Sequence, residues 1–371
     1  MGLRVVVAGG GTAGHVFPGL ALGRSLRERG HEVAFAGTAR GVEARLVPAA
    51  GFEFHELEAS PFVRRPSVSA LRAPVVTLRA VRRSRRIVRG AHVVVGMGGY
   101  VSVPAVLAAR KERVTAVLHE QNAVPGLANR ALSLVAAGIG LSFAAAVEGF
   151  PGWVRNRLTV TGNPVREEIL RVAHEREALA KEGRREFDLE DERRTVVIFG
   201  GSQGALHLDR AAAGACRTLA SRADLQVLLI TGPPHLSTIR RGLPERDAAI
   251  VARPVGFVER MDLAYACADL VVSRAGASTI AELAVVGLPA ILVPYPYATG
   301  RHQEANARSM QRAGGASLLL DDQLTAESLA GRIVALIDHE ERLGAMAERS
   351  AAFGRPDAAE RLADLVEGAA G

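Results

Sequence analysis

The chain has 371 residues, more than one hydrophobic core ordinarily serves, so two domains are expected. Hydrophobic residues make up 48% and charged residues 23%, a balance that excludes a largely disordered chain. The formal net charge of +7 rests almost wholly on arginine, since Lys111 and Lys181 are the only lysines, and it points to an anionic partner: a nucleotide, a phospholipid surface or a nucleic acid. Cys216 and Cys267 lie in Ala-rich helical stretches, with no Cys/His cluster at metal-ligand spacing and no disulfide framework, which suits a reducing compartment.

The opening MGLRVVVAGGGTAGH reads as a strand over residues 3–8 and a glycine loop, not as the basic and long apolar segments of a signal peptide. A helix is predicted over 17–29, stopped by Gly30, then a strand over 32–36. Residues 93–95 form a strand ending at Gly96-Met97-Gly98-Gly99. Residues 114–118 form another, ending at His119-Glu120-Gln121-Asn122. The uncharged stretch 131–147 is shorter than the ~20 residues of a spanning helix and is broken by glycines, so it reads as a helix end and a buried strand near 139–143. After Thr161-Gly162-Asn163-Pro164 comes a charged helical segment over 165–194, and then the pattern restarts. A strand over 195–199 leads into Gly200-Gly201-Ser202-Gln203-Gly204 and a helix, with further strands at 227–230, 270–273 and 290–294. Two strand–glycine loop–helix openings in one chain predict an α/β protein of two Rossmann-like domains with parallel sheets. The first should cover 1–163 and the second 164–354. A last helix, 355–371, should pack back on the first, and ligands should bind at the cleft the two sheets face.

Six motifs carry chemistry. Gly9-Gly10-Gly11-Thr12-Ala13-Gly14-His15 lets backbone N–H groups approach a phosphate at a helix start. It also fits the dinucleotide fingerprint, but the second strand ends in Ala36-Gly37-Thr38 where such an enzyme carries an acid for the ribose, which argues against NAD. His15 serves by position equally as a helix cap or as a general base. The strand-end runs with Tyr100 and with His119, Glu120, Gln121 and Asn122 make a poor core and a good rim. The loop at 200–204 is a second anion cradle. Ser273-Arg274-Ala275-Gly276 enters a helix at Ala277, where small residues admit a diphosphate. Glu282, about one and a half turns in, is placed to accept from a ribose diol or to be a helix-surface charge. Arg301-His302-Gln303-Glu304-Ala305-Asn306 follows a Pro-rich turn.

The series GGGTAGH, MGGY, HEQN with Asn129, GNPVR, GGSQGA, the R-x-G-A-x-T-x-x-E segment and the final R-x-Q-x-x-N runs in order over almost the whole chain, and it resembles the MurG family. That resemblance implies a GT-B fold and an inverting transfer of N-acetylglucosamine from UDP-N-acetylglucosamine to the 4-hydroxyl of the N-acetylmuramyl-pentapeptide of lipid I, giving lipid II for peptidoglycan. Position by position it implies a donor site of Thr12, Ala13, Gly14, Asn122, Arg166, Ser202, Val258, Ala277, Ser278, Thr279, Ile280, Ala281, Glu282 and Gln303. Glu282 would take the ribose, the Val258 backbone uracil, and Gln303 the sugar hydroxyls. His15, Tyr100, His119, Glu120 and Asn129 would line the acceptor side, with His15 the first choice for base and Glu120 the second. Helix N-termini with Arg166 or Arg274 would offset the charge of departing UDP. No cofactor is implied, and without an Asp-x-Asp at a strand end no tightly held metal. The sequence departs from the family at His302, where a second Gln is usual, and at Ala13, where Gly is common.

Other readings share part of the pattern: a GT-B glycolipid synthase, a UDP-N-acetylglucosamine 2-epimerase, which needs no acceptor, and a basic nucleic-acid-binding protein. The last expects arginines interleaved with aromatics, which this sequence lacks. A lipid acceptor without a membrane span requires work at the cytoplasmic bilayer face. Residues 71–89 suit it, with Leu71, Val75, Leu78 and Val81 at helical spacing beside Arg72, Arg79, Arg82, Arg83, Arg85, Arg86 and Arg89 for an anionic surface.

Overall fold

The structure is a computed structural model describing residues 2–57, 68–201, 204–245 and 247–371, with the backbone alone over 68–77. It divides into two units, Met1–Arg166 with Arg355–Gly371, and Glu167–Gly354. In the first, strands β1 (Arg4–Ala8), β2 (Glu32–Gly37), β3 (Glu53–Glu56), β4 (Val93–Gly96), β5 (Thr115–Glu120), β6 (Gly138–Leu141) and β7 (Leu158–Val160) alternate with helices α1 (Ala13–Glu28), α2 (Glu43–Ala49), α3 (Val68–Val88), α4 (Gly99–Glu112) and α5 (Leu127–Leu132). In the second, α6 (Glu167–Glu186) precedes β8 (Arg194–Phe199), α7 (Leu206–Thr218), β9 (Leu225–Ile230), α8 (Leu236–Arg241) and β10 (Val251–Val255). Then come α9 (Met261–Cys267), β11 (Leu270–Ser273), α10 (Ala277–Val286), β12 (Ala290–Leu292), α11 (His302–Ala313), β13 (Ala316–Leu318), α12 (Ala326–Ile337) and α13 (Glu340–Phe353). Helix α14 (Ala358–Ala370) belongs to the first unit.

Both sheets are parallel, in the orders β3-β2-β1-β4-β5-β6-β7 and β10-β9-β8-β11-β12-β13. The middles of their central strands are apolar because helices cover both faces: Val5, Val6, Val7 and Ala8 are buried, as are Val196, Val197 and Ile198. In each sheet the chain steps outward one way from the first strand and then returns to its other side. That puts a topological switch between β1 and β4, and between β8 and β11, where open parallel sheets bind ligands at their carboxyl ends.

The first helix begins at Ala13, not at 17, because Thr12 is extended (φ −141°, ψ 152°) and the chain turns helical directly after it. The glycine loop is correspondingly short. Strands β3, β7, β10 and β13 escape the sequence reading. They are short and half-exposed, with burial patterns lacking the apolar run of the central strands.

Candidate functional site

The first unit places its motifs at the switch between β1 and β4. Gly11 has φ +83°, a left-handed conformation that favours glycine, and Thr12 accepts the N–H groups of His15 (3.1 Å) and Val16 (3.3 Å) to start α1. The Thr12 hydroxyl lies 2.9 Å from His15 Nδ1, which fixes the imidazole on the first turn. The turn after β4 closes on that ring: a Cβ on Gly98 would lie 3.2 Å from His15 Cδ2 and 3.1 Å from Gln121 Oε1, and one on Gly11 would meet the Tyr100 ring at 3.4 Å. His15, Tyr100 and the two glycine turns thus form one cluster. Thr12 is exposed, and Ala13, Gly14, His15, Tyr100 and Asn122 are half-buried.

The run at the end of β5 is a correction to the expected rim. His119, Glu120 and Gln121 are 0%, 2% and 3% exposed. Their polar atoms find partners inside: His119 Nε2 donates to Gly162 O (3.0 Å), its Nδ1 accepts from the Gln121 amide (3.2 Å), and that amide also donates to Met97 O (2.6 Å). Burial, against the Gly162 bond, pulls the His119 pKa down to about 4, so the ring is neutral. Glu120 Oε1 accepts from Asn122 N (3.0 Å) and Asn122 Nδ2 (3.3 Å), and Oε2 from Gly126 N (3.0 Å) and Asn129 Nδ2 (2.9 Å). Burial raises its pKa above the ordinary range against those bonds. Asn129, itself 2% exposed, also donates to His119 O (3.0 Å). This group ties the end of β5 to the turn after β4 and to α5. Arg166 belongs to the first unit, not the second, and its guanidinium stacks 4.4 Å over Phe17 of α1.

The second unit repeats the arrangement at its own switch. Ser202 of the loop after β8 lies outside the described residues. Gly201 (φ +105°) and Gly204 (φ +76°) shape that loop, and a Cβ on Gly204 would overlap Thr231 O. After β11 the chain enters α10 through Gly276, with Ala277 and Ile280 buried and Ser278, Thr279 and Ala281 half-buried. Glu282, 8% exposed, accepts at Oε2 from the hydroxyl of the fully buried Tyr265 (2.9 Å). It is thus no surface charge. Gln303 Oε1 accepts from Tyr295 N (2.9 Å), and Asn306 Nδ2 donates to Ala275 O (3.3 Å), holding α11 against the entry to α10. Val258 is buried beyond β10, and burial lowers the pKa of His302. Arg274 is committed locally: it donates to Val293 O (3.2 Å), Pro294 O (3.1 Å) and Asp321 Oδ1 (2.5 Å), so its charge is largely spent on Asp321.

Three participants carried no sequence signal. Glu43 lies beneath the first glycine loop and Tyr265 behind Glu282. Asp209, with its pKa raised to about 6 by burial, accepts from His235 Nδ1 (2.9 Å) beside the second glycine loop. Each meets its partner only through the fold. No group of three His, Cys, Asp or Glu among the described residues could hold a metal ion, and no described helix is long and apolar enough to cross a membrane.

Known proteins share this layout. Residues 5–140 match the glycosyltransferase family 28 N-terminal domain and residues 195–362 the family 28 C-terminal domain. The UDP-N-acetylglucosamine–N-acetylmuramyl-(pentapeptide) pyrophosphoryl-undecaprenol N-acetylglucosamine transferase of Acidothermus cellulolyticus is 44% identical, over 99% of this chain and 98% of its own. The protein of the same name from Halothermothrix orenii is 39% identical over 98% of each. A crystal structure of MurG from Acinetobacter baumannii superposes with a TM-score of 0.77 at 28% identity, covering 98% of this chain and 99% of that one.

Proposed function

The chain belongs to glycosyltransferase family 28, in its MurG branch, and on that premise we propose how its residues divide the work of one transfer. The enzyme moves N-acetylglucosamine from UDP-N-acetylglucosamine to the 4-hydroxyl of the N-acetylmuramyl-pentapeptide of lipid I, giving lipid II for peptidoglycan. The observation that supports the division of labour is that each of two separate sheets carries a glycine loop at its own switch point, one in each unit.

On the donor side Glu282 accepts from the ribose hydroxyls, with Tyr265 holding its other face. The Val258 backbone meets uracil, Gln303 the sugar, and the small residues Ala277 to Ala281, with Ser202, admit the diphosphate at the start of α10. Thr12, Ala13, Gly14, Asn122 and Arg166 complete the donor contacts from the first unit. On the acceptor side His15 is the base. In the tautomer whose Nδ1–H donates to the Thr12 hydroxyl, Nε2 is the nitrogen that takes the 4-hydroxyl proton. The acceptor oxygen then bonds to C1 from the face opposite the phosphate, the C1–O bond breaks, and UDP leaves with the electron pair. Glu120, the second choice, has both oxygens taken by Asn122, Gly126 and Asn129, and it serves to hold the end of β5 to α5, while Tyr100, His119 and Asn129 belong to the acceptor side. The enzyme works at the cytoplasmic bilayer surface, where its acceptor resides, held there by the basic face of α3.

Two substitutions test the division. His15→Ala should lower turnover by about 10²–10⁴-fold, the range for a general base, with UDP affinity nearly unchanged. Glu282→Ala should weaken UDP binding by roughly 1.5–3 kcal/mol, the range for a hydrogen bond to a charged group. Calorimetry with UDP beside steady-state turnover separates them. A His15 variant that keeps its rate, or a folded Glu282 variant that keeps its UDP affinity, removes that residue from its role.

A further inference from the structure

In a dinucleotide-binding fold the amides of the first glycine loop are left open for a pyrophosphate, and an acid at the end of β2 takes the ribose. Here the acid is absent from that place, and a carboxylate from six residues beyond β2 has turned inward instead. Glu43, the first residue of α2, is 1% exposed. Its Oε2 accepts the Gly11 N–H at 3.0 Å, and its Oε1 accepts Thr38 N (2.9 Å) and the Thr38 hydroxyl (2.7 Å).

The space for this side chain is kept by three glycines. A Cβ on Gly10 or on Gly41 would overlap the Glu43 carboxylate, and one on Gly37 would collide with its Cγ. Burial pushes the carboxyl pKa up, but the bonds from Thr38, from its own N–H and from Gly11 outweigh it and hold the pKa below the ordinary range, so the group is ionised. The loop therefore already contains its anion. A phosphate approaching Gly11 would find that amide occupied and a buried negative charge behind it, in a setting where like charges repel more strongly than in water. The residue after Gly11 is Thr12, whose hydroxyl sets the His15 ring.

We propose that Glu43 is the built-in anion of the first glycine loop: it occupies the Gly11 amide that a phosphate would otherwise take, and so fixes Thr12 and, through its hydroxyl, the His15 ring. Glu43 touches no reacting atom; it is a positioning residue. The part concerning His15 rests on that histidine being the base, whereas the part concerning the loop does not.

The test has two arms on the full chain. In the first, the Gly11 amide is followed by NMR in labelled parent, Glu43→Gln and Glu43→Ala proteins while inorganic pyrophosphate is added. The parent amide should stay put, and in the Ala variant it should shift and saturate. A parent amide that shifts as far as the variant's overturns the proposal, as does a folded Ala variant whose amide stays put. In the second, Glu43→Gln, which keeps the shape and removes the charge, should lower kcat on the order of 10²-fold, as small misplacements of a reacting group do, with the KM for UDP-N-acetylglucosamine unchanged. Adding His15→Ala to it should cost far less than the same change costs the parent, since residues acting as a unit are not additive. Parent-like kcat in Glu43→Gln, or full additivity, overturns the positioning role. If His15→Ala alone leaves turnover intact, the base reading fails and the pyrophosphate arm still decides the claim about the loop. If Glu43→Ala does not fold, Glu43→Gln carries both arms, its pyrophosphate response judged by the same criterion.

Discussion

His119 cannot take a second proton without giving up a partner, because one ring nitrogen donates to Gly162 O and the other accepts from Gln121. Burial sets its pKa near 4 in the fold against 6.5 in the open chain. Below pH 6.5 the unfolded chain therefore binds the proton more readily, and stability is lost progressively as pH falls from 6.5 toward 4. The full effect is about 3 kcal/mol by proton linkage. Urea unfolding across that range should show the parent losing more than His119→Gln, whose amide can still donate to Gly162 O; parallel curves would refute the account. The same residue shows where sequence reading stops. A polar run after an apolar strand reads as surface, since nothing local names its partners. Those partners, at Gly162, Met97 and Gly126, are supplied by other strands and loops. The fold likewise shows what the lone pattern around Glu282 left open: Tyr265 reaches that carboxylate from another helix.

Helix α14 shows which forces hold an element. Leu362, Ala363 and Val366 are 0% exposed and join the core under β1 and β4. On β6, Gly138 and Gly140 leave the room they need: a Cβ there would come within 3.0 Å of Leu365 and 2.8 Å of Leu362. Arg29 also pairs with Asp364 (2.6 Å) and Glu367 (2.8 Å), but these groups are partly solvated. Leu362→Ala should cost about 2–5 kcal/mol by lost packing and Arg29→Ala no more than about 1 kcal/mol; denaturant unfolding that ranks them the other way would contradict this. In α3 the described half buries Val81 and Val88 while Arg82, Arg83 and Arg86 are exposed and Arg85 and Arg89 pair with Glu112. Leu78 is exposed, so the apolar stripe is not spent wholly on the core. An Arg82/Arg83/Arg86→Gln variant spares the Glu112 pairs, and it should bind phosphatidylglycerol vesicles more weakly by roughly 3 kcal/mol, about 1 per charge. Sedimentation at rising salt checks it. Binding equal to the parent's, or indifferent to salt, would place the anchor elsewhere. Central strands were legible because both their faces are buried and apolar. Edge strands were not, because half their side chains face water.

At the scale of the whole chain, the repeat of strand, glycine loop and helix was the most readable feature, because glycine at a strand end has few other uses. What the repeat hides is the carboxylate that lies at each loop. Glu43 accepts the Gly11 N–H in the first, Asp209 accepts the Ala205 N–H at the end of the second, and the small residues that follow Gly276 belong to a separate helix start at α10. The kinship of the full chain to the MurG branch gives these halves one reaction, transfer of N-acetylglucosamine to lipid I. The most direct measurement is to incubate the protein with radiolabelled UDP-N-acetylglucosamine and a lipid I analogue and to follow the label. The account predicts a lipid-linked disaccharide formed in step with released UDP and only when the analogue is present. Label that stays on the nucleotide, or that becomes an epimerised sugar without any acceptor, would contradict it.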